Sequence, residues 1–145
     1  MFEQILFPTD FSDVSKKALS FVKKLREAGA EKVTLLHVID QTNLDTLSAI
    51  NTVPDYLTIE KDLEERAIKE MGFMENELKE IGYEVTIKVA KGFPLREILR
   101  VAGEQPSSVI VIGSHGKSNI QEMLLGSVSE KVIRKAKPPV LVVKR

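Results

Sequence analysis

The sequence predicts an α/β fold: one domain over residues 1–145, an open five-stranded parallel sheet with helices on both faces. Three observations carry this. Short apolar runs alternate with longer segments whose apolar residues recur every three or four positions, in the order β-α-β-α-β-α-β-α-β. Two of the runs, Val33–Ile39 and Val109–Ile112, are apolar enough to be covered on both faces, as parallel strands are. The second of them leads through a glycine-bearing loop into a helix-compatible segment, a strand–loop–helix order. Right-handed crossovers then place the helices on both faces of the sheet.

Each element has its own signal. Ile5–Phe7 is a short buried strand that Pro8-Thr9-Asp10 stops. Ser12 or Asp13 can cap a helix to about Ala28, with Val14, Ala18, Phe21, Val22 and Leu25 on one face. Gly29 ends that helix. Val33–Ile39 is the second strand. Asp40 to Asp55 shows no clean period and reads as a loop. Asp55 can cap a helix from Tyr56 to Ile81, striped by Leu63, Ala67, Met71, Met74, Leu78 and Ile81, with Gly82 closing it. Its charges, such as Glu60, Lys61, Glu64, Glu65 and Lys69, read as a solvated face with pairs four residues apart. Tyr83–Val89 alternates as a third strand. Pro94 suits the first turn of a third helix, with Ile98, Leu99 and Ala102 facing inward. Val109–Ile112 is the fourth strand and Val128–Lys135 the last helix. Pro138-Pro139 breaks the chain before a fifth strand, Val140–Val143.

Composition narrows the function classes. Hydrophobic residues make up 43% and charged residues 29%, a soluble globular balance. Lys plus Arg is 21 and Asp plus Glu is 21, so the net charge is zero. That argues against broad binding to nucleic acid, which needs a basic surface. No cysteine is present, which excludes disulfides and thiolate metal sites. The two histidines, His37 and His115, are too few for a histidine-rich metal site. No apolar run approaches a membrane span, and the N-terminus carries no signal-peptide pattern, so a cytoplasmic location without membrane association is the expectation.

The most informative stretch is Gly113-Ser-His-Gly116, then nine residues, then Gly126-Ser127. Glycines let backbone N–H groups approach an anion without a Cβ in the way. A helix starting near Ser127 adds unpaired N–H groups and the positive end of its dipole. Ligands of parallel sheets sit beyond the carboxyl ends of strands, where the chain order reverses. Pro8–Asp10, His37–Ile39 and Gly113–Gly116 all lie at such ends. The chain therefore reads as a nucleotide binder.

The opening Ile-Leu-Phe-Pro-Thr-Asp, the Leu-Leu-His-Val of strand two, the Gly-x2-Gly-x9-Gly-Ser motif and the closing Lys-Pro-Pro-Val-Leu-Val-Val resemble the universal stress protein family across the whole chain. The glycine motif is that family's mark of its ATP-binding branch. The resemblance implies a Rossmann-like, adenine nucleotide alpha hydrolase-like sheet of strand order 3-2-1-4-5, and a homodimer. It also implies a site. Pro8, Thr9 and Asp10 would line the adenosine side, and the Val38 backbone would bond the adenine edge. Ile112 and Gly113 would flank the ribose. Gly116, Lys117, Ser118 and Asn119, with Gly126, Ser127, Val128 and Ser129, would hold the phosphates, the serines through their hydroxyls; His115, read from its place in the loop, can touch a phosphate or stand free in solvent. Mg2+ would sit on the phosphates, since that ion prefers phosphate oxygens and waters to an all-protein cage.

Plainer readings stand beside these. Asp10 can cap helix one as well as meet a ribose. His37, in an apolar strand, is a hydrogen-bonded core histidine before it is a ligand. Met123–Leu125 can pack on its own domain or on a second subunit. Val140–Val143 lies at an edge in the implied order, and an apolar edge invites antiparallel pairing with a second copy. Three functions follow: a nucleotide-dependent regulatory or stress-response protein acting as a switch, a slow or partner-stimulated ATP hydrolase or self-phosphorylating protein, and a ligand-free structural dimer. The first is preferred. No Gly-x4-Gly-Lys-Ser/Thr run and no carboxylate clearly aimed at a γ-phosphate is present, so an efficient enzyme is not expected.

Overall fold

In a computed structural model of the protein, residues 2–50, 56–115 and 126–145 are described. Strands β1 (Gln4–Pro8), β2 (Lys32–Asp40), β3 (Glu84–Gly92), β4 (Val109–Gly113) and β5 (Val140–Val143) form one sheet of order β3-β2-β1-β4-β5. All pairings are parallel, with Ile5 opposite Val33 on one side and Val109 on the other. Chain order reverses at β1, so the crevice beyond the carboxyl ends of β1 and β4 is the switch point.

Strand alternation builds two cores. Ile5, Phe7, Val33, Leu35, Val109 and Val111 face one layer of helices, α1 (Asp13–Leu25) and α3 (Tyr56–Glu80). Leu6, Leu36, Ile110 and Ile112 face the other, α4 (Pro94–Glu104) and α5 (Ser127–Lys135). Each fully buried aliphatic or aromatic side chain here stabilises the fold by roughly 1.5–3 kcal/mol.

Helix α1 starts where Ser12 accepts the Ser15 N–H at 3.2 Å. Its regular part stops at Leu25 and a turn carries the chain to Gly29, whose φ of 98° is open to glycine. Ala30 N–H reaches the Leu25 carbonyl at 3.1 Å and Gly29 N–H the Arg26 carbonyl at 3.2 Å, closing the helix end.

Four expectations are corrected. Part of the segment read as a loop, Asp40 to Asp55, is a helix, α2 (Gln41–Ile50); residues 51–55 lie outside the described residues. Asp40 caps it by accepting the Thr42 N–H at 2.9 Å, and Leu44 is fully buried. Leu44 is its buried apolar anchor, in a segment without a clean apolar period, which is why periodicity does not reveal it. Ile81 lies past the end of α3 and is exposed, whereas Ala67, Met71 and Leu78 of the expected stripe are buried. On α4 the buried pair is Ile98 and Val101, with Ala102 packed beside them and Leu99 only half-buried. Glu60 pairs not along its helix but with Lys91 of β3, at 3.3 Å.

Among the described residues, no helix is long and apolar enough to cross a membrane.

Candidate functional site

A cavity of about 470 Å³ opens beyond the carboxyl ends of β1, β2 and β4, at the switch point. Pro8, Thr9 and Asp10 leave β1 into its wall, and Val38 enters from β2. Ile112 and Gly113 end β4 there, followed by His115. Gly126, Ser127, Val128 and Ser129, the start of α5, complete it. The fold thus brings these eleven expected residues to one cavity, while Gly116, Lys117, Ser118 and Asn119, like Met123–Leu125, lie outside the described residues.

Local hydrogen bonds hold the β1 end in place. Thr9 N–H donates to the Leu36 carbonyl at 2.8 Å, so the chain stays registered on β2 past the end of the strand. The Thr9 and Ser15 hydroxyls are 2.5 Å apart and buried. Asp10 Oδ1 accepts the Ser12 N–H at 3.0 Å, an Asx turn, and Ser12 rather than Asp10 caps α1. Between them Phe11 has φ of 63°, rare for a bulky side chain. Its ring stacks on His37 with centroids 4.5 Å apart. His37 Nδ1 lies 2.8 Å from the Thr9 carbonyl oxygen, which makes Nδ1 the protonated nitrogen in that bond. His37 is therefore hydrogen-bonded, as the strand context predicts, yet half-buried and on the cavity wall.

The β4–α5 end has a different character. Gly126 N–H donates to the Ser114 carbonyl at 2.5 Å, and Gly126 occupies the N-cap of α5 with no side-chain cap bond. The first-turn N–H groups of a helix have no partner inside it, so those of Ser127, Val128 and Ser129 are the local anion-binding chemistry. Ser129 Oγ donates to the Gly113 carbonyl at 2.6 Å and is buried. This corrects one expectation: its hydroxyl proton is spent on the fold, and Ser129 has only its backbone to offer an anion. His115 Nδ1 is 2.7 Å from the Ser114 hydroxyl. Gly113 is glycine for packing reasons: a Cβ there would sit 2.9 Å from Val14 Cγ1 at the start of α1.

A family model of the universal stress protein family matches residues 1–144. The chain belongs to the universal stress protein family. A universal stress protein of Methanocaldococcus jannaschii is 38% identical over 156 residues, covering 100% of this chain and 96% of that protein. The solved structure of that archaeal protein superposes with a TM-score of 0.90 at 40% identity, covering 100% of this chain and 97% of that one. A universal stress protein of Bacillus subtilis is 34% identical over 148 residues, covering 99% of this chain and all of that protein. An Arabidopsis thaliana family member shares the fold, with a TM-score of 0.69 at 19% identity over 98% of this chain and 91% of that one.

Within this universal stress protein fold, several wall residues escape sequence reasoning. Leu63, Pro94 and Ile98 line the cavity, although their spacing shows only helix stripe and helix start. Ser15 has no signal in the sequence beyond following a helix cap. Asp40 and Asn43 lie in the segment read as loop; Asp40 reaches the cavity as the last residue of β2, and only the fold of α2 carries Asn43 there.

Proposed function

We propose that this universal stress protein binds an adenine nucleotide, ATP with Mg2+ on its phosphates, and acts as a nucleotide-dependent regulatory protein rather than an efficient enzyme. One observation carries the reading. The uncapped first turn of α5 opens onto the same cavity that Val38, Leu63, Pro94 and Ile98 line with apolar surface. A nucleotide needs that combination: backbone donors for phosphates, and an apolar slot with strand-end backbone groups for the base. Asp10 adds a carboxylate suited to ribose hydroxyls. The Arabidopsis protein has AMP bound; it lends the shared fold, and the assignment here rests on the cavity's own chemistry.

The regulatory reading is supported by where the carboxylates lie. Those on the cavity wall, among the described residues, are Asp10 and Asp40, at the ends of β1 and β2. Glu130 of α5 instead pairs with Arg134 at 2.8 Å. A hydrolase needs a group to orient water at the γ-phosphate, and neither arrangement provides one at the α5 end. Self-phosphorylation would fall on Ser127 or Ser129; with the Ser129 hydroxyl committed, it narrows to Ser127, which is exposed and on the wall. Mg2+ would be held by phosphate oxygens and water, with the Ser127 hydroxyl as the side-chain oxygen that the α5 start has left to offer. Homodimerisation through the β5 edge belongs to the same proposal.

Calorimetric titration of folded, nucleotide-stripped protein with Mg-ATP, with GTP as control, tests the assignment. Selective ATP binding is the expected result. No ATP binding would overturn it and leave the cavity without a nucleotide role.

A further inference from the structure

Most polar side chains on the cavity wall are already engaged. Thr9 pairs with Ser15, His37 with the Thr9 carbonyl, Asp10 with Ser12, Asp40 with Thr42, and Ser129 with Gly113. Asn43 and Ser127 differ: their side chains make no hydrogen bond or ion pair among the described residues. Ser127 stands at the first position of α5, beside the anion-binding turn. Asn43 stands on α2, directly after the strand end that brings Val38, Ile39 and Asp40 to the wall.

The helix that presents Asn43 is fixed. Asp40 caps its first turn. Leu44, the next residue, is fully buried. Gln41 Nε2 donates to Asp45 Oδ1 at 2.8 Å and to the Tyr56 hydroxyl of α3. A side chain on a helix held at three points is a precise contact, and an unspent carboxamide on the wall of a ligand cavity has both a donor and an acceptor to give.

We infer that Asn43 reads the base edge of the bound nucleotide and selects adenine. The inference rests on the nucleotide reading of the cavity. Adenine carries two hydrogens on N6. One, with N1, suits a backbone C=O and N–H pair such as the end of β2 supplies. The other, with N7, suits a carboxamide: the Asn43 Oδ1 accepts from N6 and its Nδ2 donates to N7. Guanine presents O6 and N7 on that edge, so the Asn43 carbonyl would face another carbonyl.

The test is calorimetry on nucleotide-stripped wild type and Asn43→Ala with ATP and with 7-deaza-ATP, which lacks the N7 acceptor. Asn43 is exposed, so the variant should fold, and circular dichroism checks that it does. Wild type should bind ATP about tenfold more tightly than Asn43→Ala does, in line with the loss of one paired amide contact. The two proteins should bind 7-deaza-ATP with much closer affinities. If Asn43→Ala binds ATP like wild type, the base-reading role falls while the nucleotide reading stands. An equal loss for both nucleotides would show that Asn43 supports α2 rather than reading N7, and also overturns it. If wild type binds no ATP, both readings fall together.

Discussion

The Ser129 hydroxyl donates to the Gly113 carbonyl at 2.6 Å, tying the first turn of α5 to the last residue of β4. Both ends of this bond line the cavity. The side chain thus sets where the α5 N–H groups point, its own proton spent on the strand end.

Ser129→Ala should therefore cost stability more than affinity. The Gly113 carbonyl would lose its buried donor, a cost of about 1–3 kcal/mol, visible as a thermal midpoint lowered by several degrees. Where the variant is folded, ATP affinity should stay within a few-fold of wild type, because the backbone N–H groups remain. A large affinity loss at unchanged stability would mean that the hydroxyl meets the phosphates.

Tyr83 predicts an alkaline limit to stability. Its hydroxyl donates to the Val22 carbonyl at 2.6 Å, and the residue is buried. Burial pushes its pKa up from 10.0 to about 12, with Arg26 pulling the other way. The folded state thus holds a proton that the unfolded chain releases near pH 10. This contribution is fully present below about pH 10 and is lost as pH rises toward about 12; it is on the order of 2 kcal/mol. Denaturant unfolding across this range should show wild type falling more steeply than Tyr83→Phe. At neutral pH the same variant should be weaker by about 1–2 kcal/mol, because the Val22 carbonyl loses its donor. Parallel pH curves for the two proteins would contradict the assignment.

The β5 edge gives a test of the proposed dimer. Ile110 N–H donates to the Pro139 carbonyl and Ser114 N–H to that of Val143. By strand alternation the Val140 and Val142 backbone groups then face away from β4, toward the free edge. Val142→Pro should remove an outward donor while sparing the pairing to β4, as proline is tolerated on edge strands. A shift from dimer to monomer in analytical ultracentrifugation is expected. Deleting β5 would be a poorer test, because Val143 is buried in the core. A Val142→Pro protein that stays dimeric would move the interface elsewhere.

Much of the site was legible in the chain because it depends on local order. A buried strand, a glycine and a helix start follow one another in sequence, so Gly113 and Gly126–Ser129 announce themselves. Pro8–Asp10 and Val38 follow from the rule that parallel strands end at a common crevice. Only the fold could bring in Leu63, Pro94, Ile98 and Asn43, which come from three helices and share no spacing with the motif.

The sequence by itself determined the alternation of strands and helices and the two apolar faces of the sheet, because a period of two or of three to four is written into neighbouring residues. Tertiary structure decided what depends on contacts between distant segments. It anchored α2 through the buried Leu44 and the capping Asp40 carboxylate, turned the Ser129 hydroxyl inward to Gly113, and required glycine at 113 to make room for Val14. Those choices are set by which surfaces meet, and no local pattern records that meeting.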